Sequence, residues 1–180
     1  FSRAGFTGAQ AYPCHWAGDQ DSTWESFRAT LLAGLSASLS GIPFWGWDLA
    51  GFSGEIPSAE LYLRAAATAI FTPIMQYHSE YNSHRTPGID RTPWNIANRT
   101  GKPEVLDIYR KFAKLRMQLL PYIIEEARHS ATSGEPLMRP LFLDWPNDTL
   151  AWQISDQYCF GRGLLVAPVM EEGITERKVY

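Results

Sequence analysis

Cysteine is scarce in this chain. Two residues in 180, Cys14 and Cys159, stand in no metal-ligand spacing. That excludes a disulfide scaffold and leaves two free thiols, an expectation that favours a reducing, cytoplasmic compartment without excluding secretion. The four histidines, His15, His78, His84 and His129, also lack ligand-like spacing, so no metal is expected. Excess positive charge is missing. The net charge is −3 with 16 basic against 19 acidic residues, which argues against nucleic acid or an anionic membrane as partner. No apolar run approaches the ~20 residues of a membrane span. A phosphate-binding loop and a dinucleotide fingerprint are both absent, so no cofactor is expected. Internal repeats and low-complexity stretches are absent too.

Aromatic residues are plentiful. Seven Trp, eight Tyr and nine Phe occur, and several Trp adjoin Asp or Gly instead of lying in apolar runs. Such rings suit flat ligands. With 45% hydrophobic residues the chain can build one domain-sized core. It opens at Phe1 and closes on Arg177-Lys178-Val179-Tyr180, and neither end has the polar composition usual at a domain boundary. The expectation is a piece of a longer polypeptide.

Read in order, Phe1 to Pro13 is a strand end followed by loop, with Arg3 at the strand end. Cys14 to Gly18 reads as a short buried strand. Asp21 or Ser22 is a candidate cap for a helix from Trp24 to about Leu39, whose apolar face is Phe27, Leu31, Leu32, Leu35 and Leu39. Ile42 to Leu49 reads as a second buried strand ending at Asp48. Ser58 starts a second helix running to about Ile70. Phe71 to Tyr77 reads as a third strand, followed by His78. Ser79 to Thr100 is polar and Pro-punctuated and reads as a long loop. Pro103 to about Ser130 reads as the longest helix, kinked at Pro121. Beyond Gly134 the segments 136–145, 151–160 and 164–169 read as short strands between turns.

Alternation of strand and helix argues for a parallel α/β sheet, open or closed. Arg3, Asp19, Asp48 and His78 each follow an expected strand. Parallel strands point their carboxyl ends one way, so these four groups converge on the face where α/β folds carry their sites. Two carboxylates, an Arg, a His and several aromatics suit a sugar, which presents hydroxyls to polar groups and C–H faces to rings. Glycoside hydrolysis needs one carboxylic acid to protonate the leaving oxygen. Retaining enzymes place a second carboxylate about 5–5.5 Å away to attack the sugar. Spacing alone nominates Asp19 and Asp48. Plainer readings stand beside this one: Asp19 as a helix cap, Asp48 as a turn residue, His78 as a structural histidine, Arg3 in an ion pair, and Trp16, Trp45 and Trp47 as core.

A set of motifs sharpens the choice. Arg3 with the Gly-rich segment after it, His15-Trp16-Ala17-Gly18-Asp19, Leu39-Ser40-Gly41-Ile42-Pro43, Asp48-Leu49-Ala50-Gly51-Phe52, the His78 segment, Leu119-Leu120-Pro121-Tyr122, Met138-Arg139-Pro140-Leu141 and Leu164-Leu165-Val166-Ala167-Pro168-Val169 run in one order along the chain. Together they resemble glycoside hydrolase family 31, the α-glucosidase and α-xylosidase family. The resemblance implies the second half of a (β/α)8 TIM barrel over residues 1–134. Residues 135–180 would close the barrel and lead into a β-sandwich. It also implies a retaining α-glycosidase acting on terminal α-linked sugars, whose partners are an α-linked oligosaccharide or glycoside and the remainder of its own polypeptide; a homo-oligomer is a separate expectation.

By that resemblance Asp19 is the general acid/base. Arg3, Asp48 and His78 bind sugar hydroxyls, while Trp16 and Phe52 form an aromatic wall. Asp48 thereby becomes a substrate binder. The family's nucleophile belongs to a Trp-x-Asp-x-x-Glu-type segment on an earlier strand, expected ahead of Arg3. One departure is Asp48-Leu49-Ala50-Gly51, where many members have Asp-Ile-Gly-Gly; the expected consequence is for loop geometry more than for the reaction. A non-catalytic sugar-binding protein on a decayed barrel is the alternative.

Overall fold

The structure, a computed structural model, describes residues 7–78 and 90–180. A short 3-10 helix at Ala9–Ala11 leads into strand β1, His15–Trp16. Helix α1 spans Trp24–Leu39, β2 is Trp45–Gly46 and α2 is Ala59–Ala69. Strands β1 and β2 pair in parallel, His15 opposite Trp45 and Trp16 opposite Gly46. The pairing extends through His15 N–H to the Phe44 carbonyl and Ala17 N–H to the Gly46 carbonyl. The Phe71 to Tyr77 segment is not a strand as expected. Pro73 cannot donate to a ladder, and the segment joins through Leu49 N–H to the Gln76 carbonyl at 3.2 Å. It still lies against β2, because a methyl group placed on Gly46 would sit 2.9 Å from Ile74 Cβ.

The helices start where side chains cap them. Thr23, not Asp21 or Ser22, caps α1: its hydroxyl accepts from Ser26 N–H. Asp21 instead bridges to Ser53. Gly34 lets α1 lie directly on β2, since any Cβ there would fall 1.8 Å from the Trp45 ring. Ser58 caps α2, whose Ala65, Ala66 and Ala69 are wholly buried. Part of the expected loop to Thr100 is helical: α3 is Pro93–Thr100, with Thr92 as cap and Pro93 in its first turn.

The single kinked helix expected over 103–130 is two helices, α4 (Glu104–Gln118) and α5 (Leu120–Ser133). The chain breaks at Leu119 because Pro121 is placed in the first turn of α5, where its missing N–H costs nothing. Arg116 of α4 donates to the carbonyls of Ile70, Thr72 and Pro73, which satisfies the turn after α2.

Residues after Gly134 form an antiparallel sheet in the order β3 (Met138–Pro140), β4 (Tyr158–Phe160), β5 (Leu164–Val166). The expected strand over 136–145 is shorter, because Leu141–Asp144 turns into helix α6. The segment 151–157 is likewise without strand pairing. Tyr122 of α5 ties the sheet down: its hydroxyl donates to the Phe160 carbonyl at 2.8 Å and accepts from Gly163 N–H at 2.9 Å. A main core joins both parts, from Phe27 and Leu31 of α1 to Met138 and Phe160 of the sheet.

Candidate active site

The parallel register sets Trp16, Asp48 and Gln76 at the same end of three neighbouring segments. Asp48 leaves β2 after Trp47 and is fully buried. Its Oδ2 accepts from the Trp16 indole N–H at 3.0 Å, and its Oδ1 accepts from the Gln76 amide at 3.2 Å. Both donors are neutral. Burial therefore pushes the Asp48 carboxyl above its ordinary value. The Trp16 bond, the His78 charge and the Gln76 bond pull it back, and the like charge of Asp19 adds a smaller lift.

Asp19 is exposed, and its charge acts on Asp48. Phe52 and the exposed His78 face each other, ring centres 5.1 Å apart and tilted by 54°. Five of the six expected site residues, Trp16, Asp19, Asp48, Phe52 and His78, thus gather at one end of the parallel pair. Arg3 lies outside the described residues. Gln76 is not among the expected residues. The signal for it is its position two residues before His78, since alternate residues of an extended segment face one side. Trp45 and Trp47 are core: both are buried, and Trp47 stacks on Phe27 at 5.4 Å and 6°.

The two loops that carry these residues are joined by backbone. The Gln20 carbonyl accepts from Phe52 N–H at 2.7 Å and Ser53 N–H at 3.0 Å. Gly51, at φ 103°, is needed for this approach: a Cβ there would lie 2.8 Å from the Asp21 carbonyl carbon and from Ser22 Cα. Ala50 keeps a left-handed backbone, φ 61°, despite its Cβ, and is the one described non-glycine residue that does so. The Gly-to-Ala departure is therefore absorbed as local strain with the loop path retained.

Exposed carboxylate, buried carboxylate, indole, amide and imidazole together can donate, accept and move protons around a polyhydroxylated ligand. Among the described residues no group of three or more His, Cys, Asp or Glu could hold a metal ion. A cavity of about 490 Å³ lined by Arg28, Asp156, Met170 and Tyr180 lies elsewhere and includes none of the site residues.

Comparison with known proteins gives the family. Residues 1–126 match the glycosyl hydrolases family 31 TIM-barrel domain, and residues 134–180 match the glycosyl hydrolase family 31 C-terminal domain. A 1,3-alpha-isomaltosidase of Kribbella flavida is 55% identical over 180 residues, all of this chain and 25% of its own length. An isomaltosyltransferase of Sporosarcina globispora is 47% identical, again over all of this chain and over 16% of its own length. The solved structure of a cycloalternan-degrading enzyme from Trueperella pyogenes in complex with a covalent intermediate superposes with a TM-score of 0.92 at 51% identity, covering 96% of this chain and 24% of that one. This chain spans a quarter or less of the length of these relatives.

Proposed function

The chain belongs to glycosyl hydrolase family 31, and on that premise we propose that it supplies half of the catalytic machinery of a retaining α-glycosidase. The observation that carries the reading is a buried Asp48, held by the neutral Trp16 and Gln76 donors, on the loop that is backbone-bonded to the loop of the exposed Asp19.

In the first step Asp19 donates its proton to the glycosidic oxygen as the bond from that oxygen to C1 breaks. A carboxylate from outside these 180 residues attacks C1 and forms the glycosyl ester. In the second step Asp19 removes a proton from water, the water oxygen attacks C1, and the sugar leaves with its α configuration. The covalent intermediate held by the Trueperella pyogenes enzyme supports this two-step course.

Asp48 grips sugar hydroxyls in this scheme. Trp16 and Gln76 fix its two oxygens, so its lone pairs already point where the sugar arrives. His78 and Arg3 add hydroxyl contacts, and Trp16 with Phe52 lines the apolar face of the ring. The names of both relatives support an isomaltosyl unit as substrate, and that of the Kribbella enzyme supports an α-1,3 linkage. The transferase among them favours a second reading of the last step, in which a sugar hydroxyl replaces water at C1. We also place the domain division at Gly134. Its left-handed backbone ends α5, and antiparallel strands follow it.

The test is the Asp19→Ala variant of the full-length protein across leaving groups. For a substrate with a poor leaving group, such as an isomaltosyl unit α-1,3-linked to glucose, kcat/KM should fall by roughly 10²–10⁴-fold, the range for general acid–base catalysis. For an aryl glycoside with an acidic phenol, which needs no protonation, the loss should be far smaller. An equal loss on both substrates, or none, would refute the assignment.

A further inference from the structure

Arg91 is the largest fully buried side chain in the described structure. It sits outside every motif that carries the proposed chemistry. Its guanidinium spans two loops: Nε donates to the Ser22 hydroxyl at 3.2 Å, and Nη2 donates to the carbonyls of Ser53 at 2.9 Å, Gly54 at 2.9 Å and Glu55 at 3.4 Å. Ser22 closes the loop that begins at Asp19. Residues 53–55 continue the loop that begins at Asp48 and carries Phe52.

Those loops face each other across a tight seam. Phe52 and Ser53 donate to the Gln20 carbonyl, Asp21 bridges Ser53, and Gly51 leaves no room for a side chain. Hydrogen bonds to Gln20 fix the seam near its start. Arg91 fixes its far end from inside, where burial makes such contacts costly to lose. The guanidinium suits this position because its planar fork is rigid and reaches separate acceptors at once. Lysine would carry the same charge on one nitrogen and could not span the same set.

We propose that Arg91 is a positioning residue of the glycosidase reaction, clamping the Asp19 loop to the Asp48–Phe52 loop so that the proton donor and the sugar-binding carboxylate keep one separation. This rests on the roles proposed above for Asp19 and Asp48. Arg91 itself touches no substrate. Its effect passes through Ser22 to the acid/base and through residues 53–55 to the sugar-binding wall. Misplacing a catalytic group by about 1 Å can cost on the order of 10²-fold in rate.

The consequence is selective. If Arg91 sets the reach of Asp19, loosening it should penalise substrates that need a proton on the leaving oxygen. Substrates with a good leaving group should lose only what the shifted sugar-binding wall costs, which both classes share. A residue that only supports folding would lower the amount of active enzyme and scale both rates by one factor.

The experiment compares Arg91→Lys, Ser22→Ala and Asp19→Ala in the full-length protein. Each is assayed for kcat/KM on a trisaccharide, an isomaltosyl unit α-1,3-linked to glucose, and on an activated aryl glycoside. Ser22→Ala keeps the guanidinium in place and removes only the hydroxyl it grips on the Asp19 side, so it reports even where Arg91→Lys fails to fold. For Arg91→Lys the loss on the trisaccharide should exceed the loss on the aryl glycoside by about 10-fold or more. Ser22→Ala should shift the same ratio in the same direction by less. Equal losses on both substrates in the folded variants would overturn the inference. Asp19→Ala separates the two claims: if it too lacks leaving-group selectivity, the assignment of Asp19 fails; if it shows that selectivity and the clamp variants do not, only the clamp fails.

Discussion

Two buried carboxylates of this chain, Asp48 and Glu126, are held in opposite ways. Asp48, at the end of β2, is wholly buried and meets two neutral donors. Glu126, on α5, is also buried, but a guanidinium meets it. Arg162 donates to it through its backbone N–H at 2.9 Å, through Nε at 3.1 Å and through Nη2 at 2.9 Å. The Arg162 hydrogen bond is the largest cause of a Glu126 carboxyl below its ordinary value. Burial is the largest cause of an Asp48 carboxyl above its own.

The difference teaches what each region is arranged for. The α5–sheet joint spends its charges on one another, and Glu126 has little left to offer a ligand. The edge of the parallel pair leaves Asp48 under-compensated. A buried carboxylate whose hydrogen-bond donors among the described residues are neutral is costly for folding, and it gains most from a ligand that brings hydroxyl donors. Perturbed carboxylates of this second kind are the ones expected at functional sites.

The contrast breaks most visibly under truncation. Asp48→Ala should lower kcat/KM of the full-length protein by roughly 10–100-fold, the worth of a hydrogen bond to a charged group, with little loss of stability. Glu126→Ala should do the reverse. It orphans the Arg162 N–H and should lower stability by about 1–3 kcal/mol in denaturant titrations, with kcat per folded molecule unchanged. A Glu126 variant that lost turnover while staying folded would break the comparison.

The pH dependence sharpens it at smaller scale. The lowered Glu126 carboxyl contributes stability above its unfolded value, and that contribution is lost as pH falls through the folded value. The raised Asp48 carboxyl works the other way. Its contribution is complete below the unfolded value and is lost as pH rises through the folded one. Unfolding free energies of wild type against Glu126→Gln and Asp48→Asn should therefore diverge in opposite directions with pH. Parallel curves would show that the two sites are held alike. The smallest effect concerns Ala50. Replacing it with glycine relieves a left-handed alanine and should stabilise by about 0.5–1 kcal/mol after the entropy of the unfolded glycine is subtracted.

Much of the fold and of the site is legible in the residues themselves. Helix α1 declares itself by its apolar period and its polar entry, and Ser58 and Gly134 mark real helix ends. Asp19 and Asp48 fall on one face because each follows a parallel strand. Helix α3 escapes, because Thr92-Pro93 reads as loop punctuation although it is also a cap followed by a first-turn proline. Pro121 reads as a kink, whereas it starts a new helix, two residues after the break at Leu119. Gln76 and Arg91 escape for a common reason. Their partners, at Asp48 and at Ser22 with residues 53–55, are 28 or more residues away along the chain, and no local pattern encodes such contacts. The binding role proposed for Asp48 comes only from the family resemblance, since spacing alone nominates it to attack the sugar.

That division of labour between Asp19 and Asp48 is the central claim, and azide tests it directly. Azide replaces a missing acid/base from the face that water uses, and replaces a missing nucleophile from the opposite face. With an activated α-glycoside, full-length Asp19→Ala should be accelerated by azide and should yield the α-glycosyl azide, while Asp48→Ala should yield no glycosyl azide of either configuration. A β-glycosyl azide from Asp48→Ala would make Asp48 the attacking group and contradict the account.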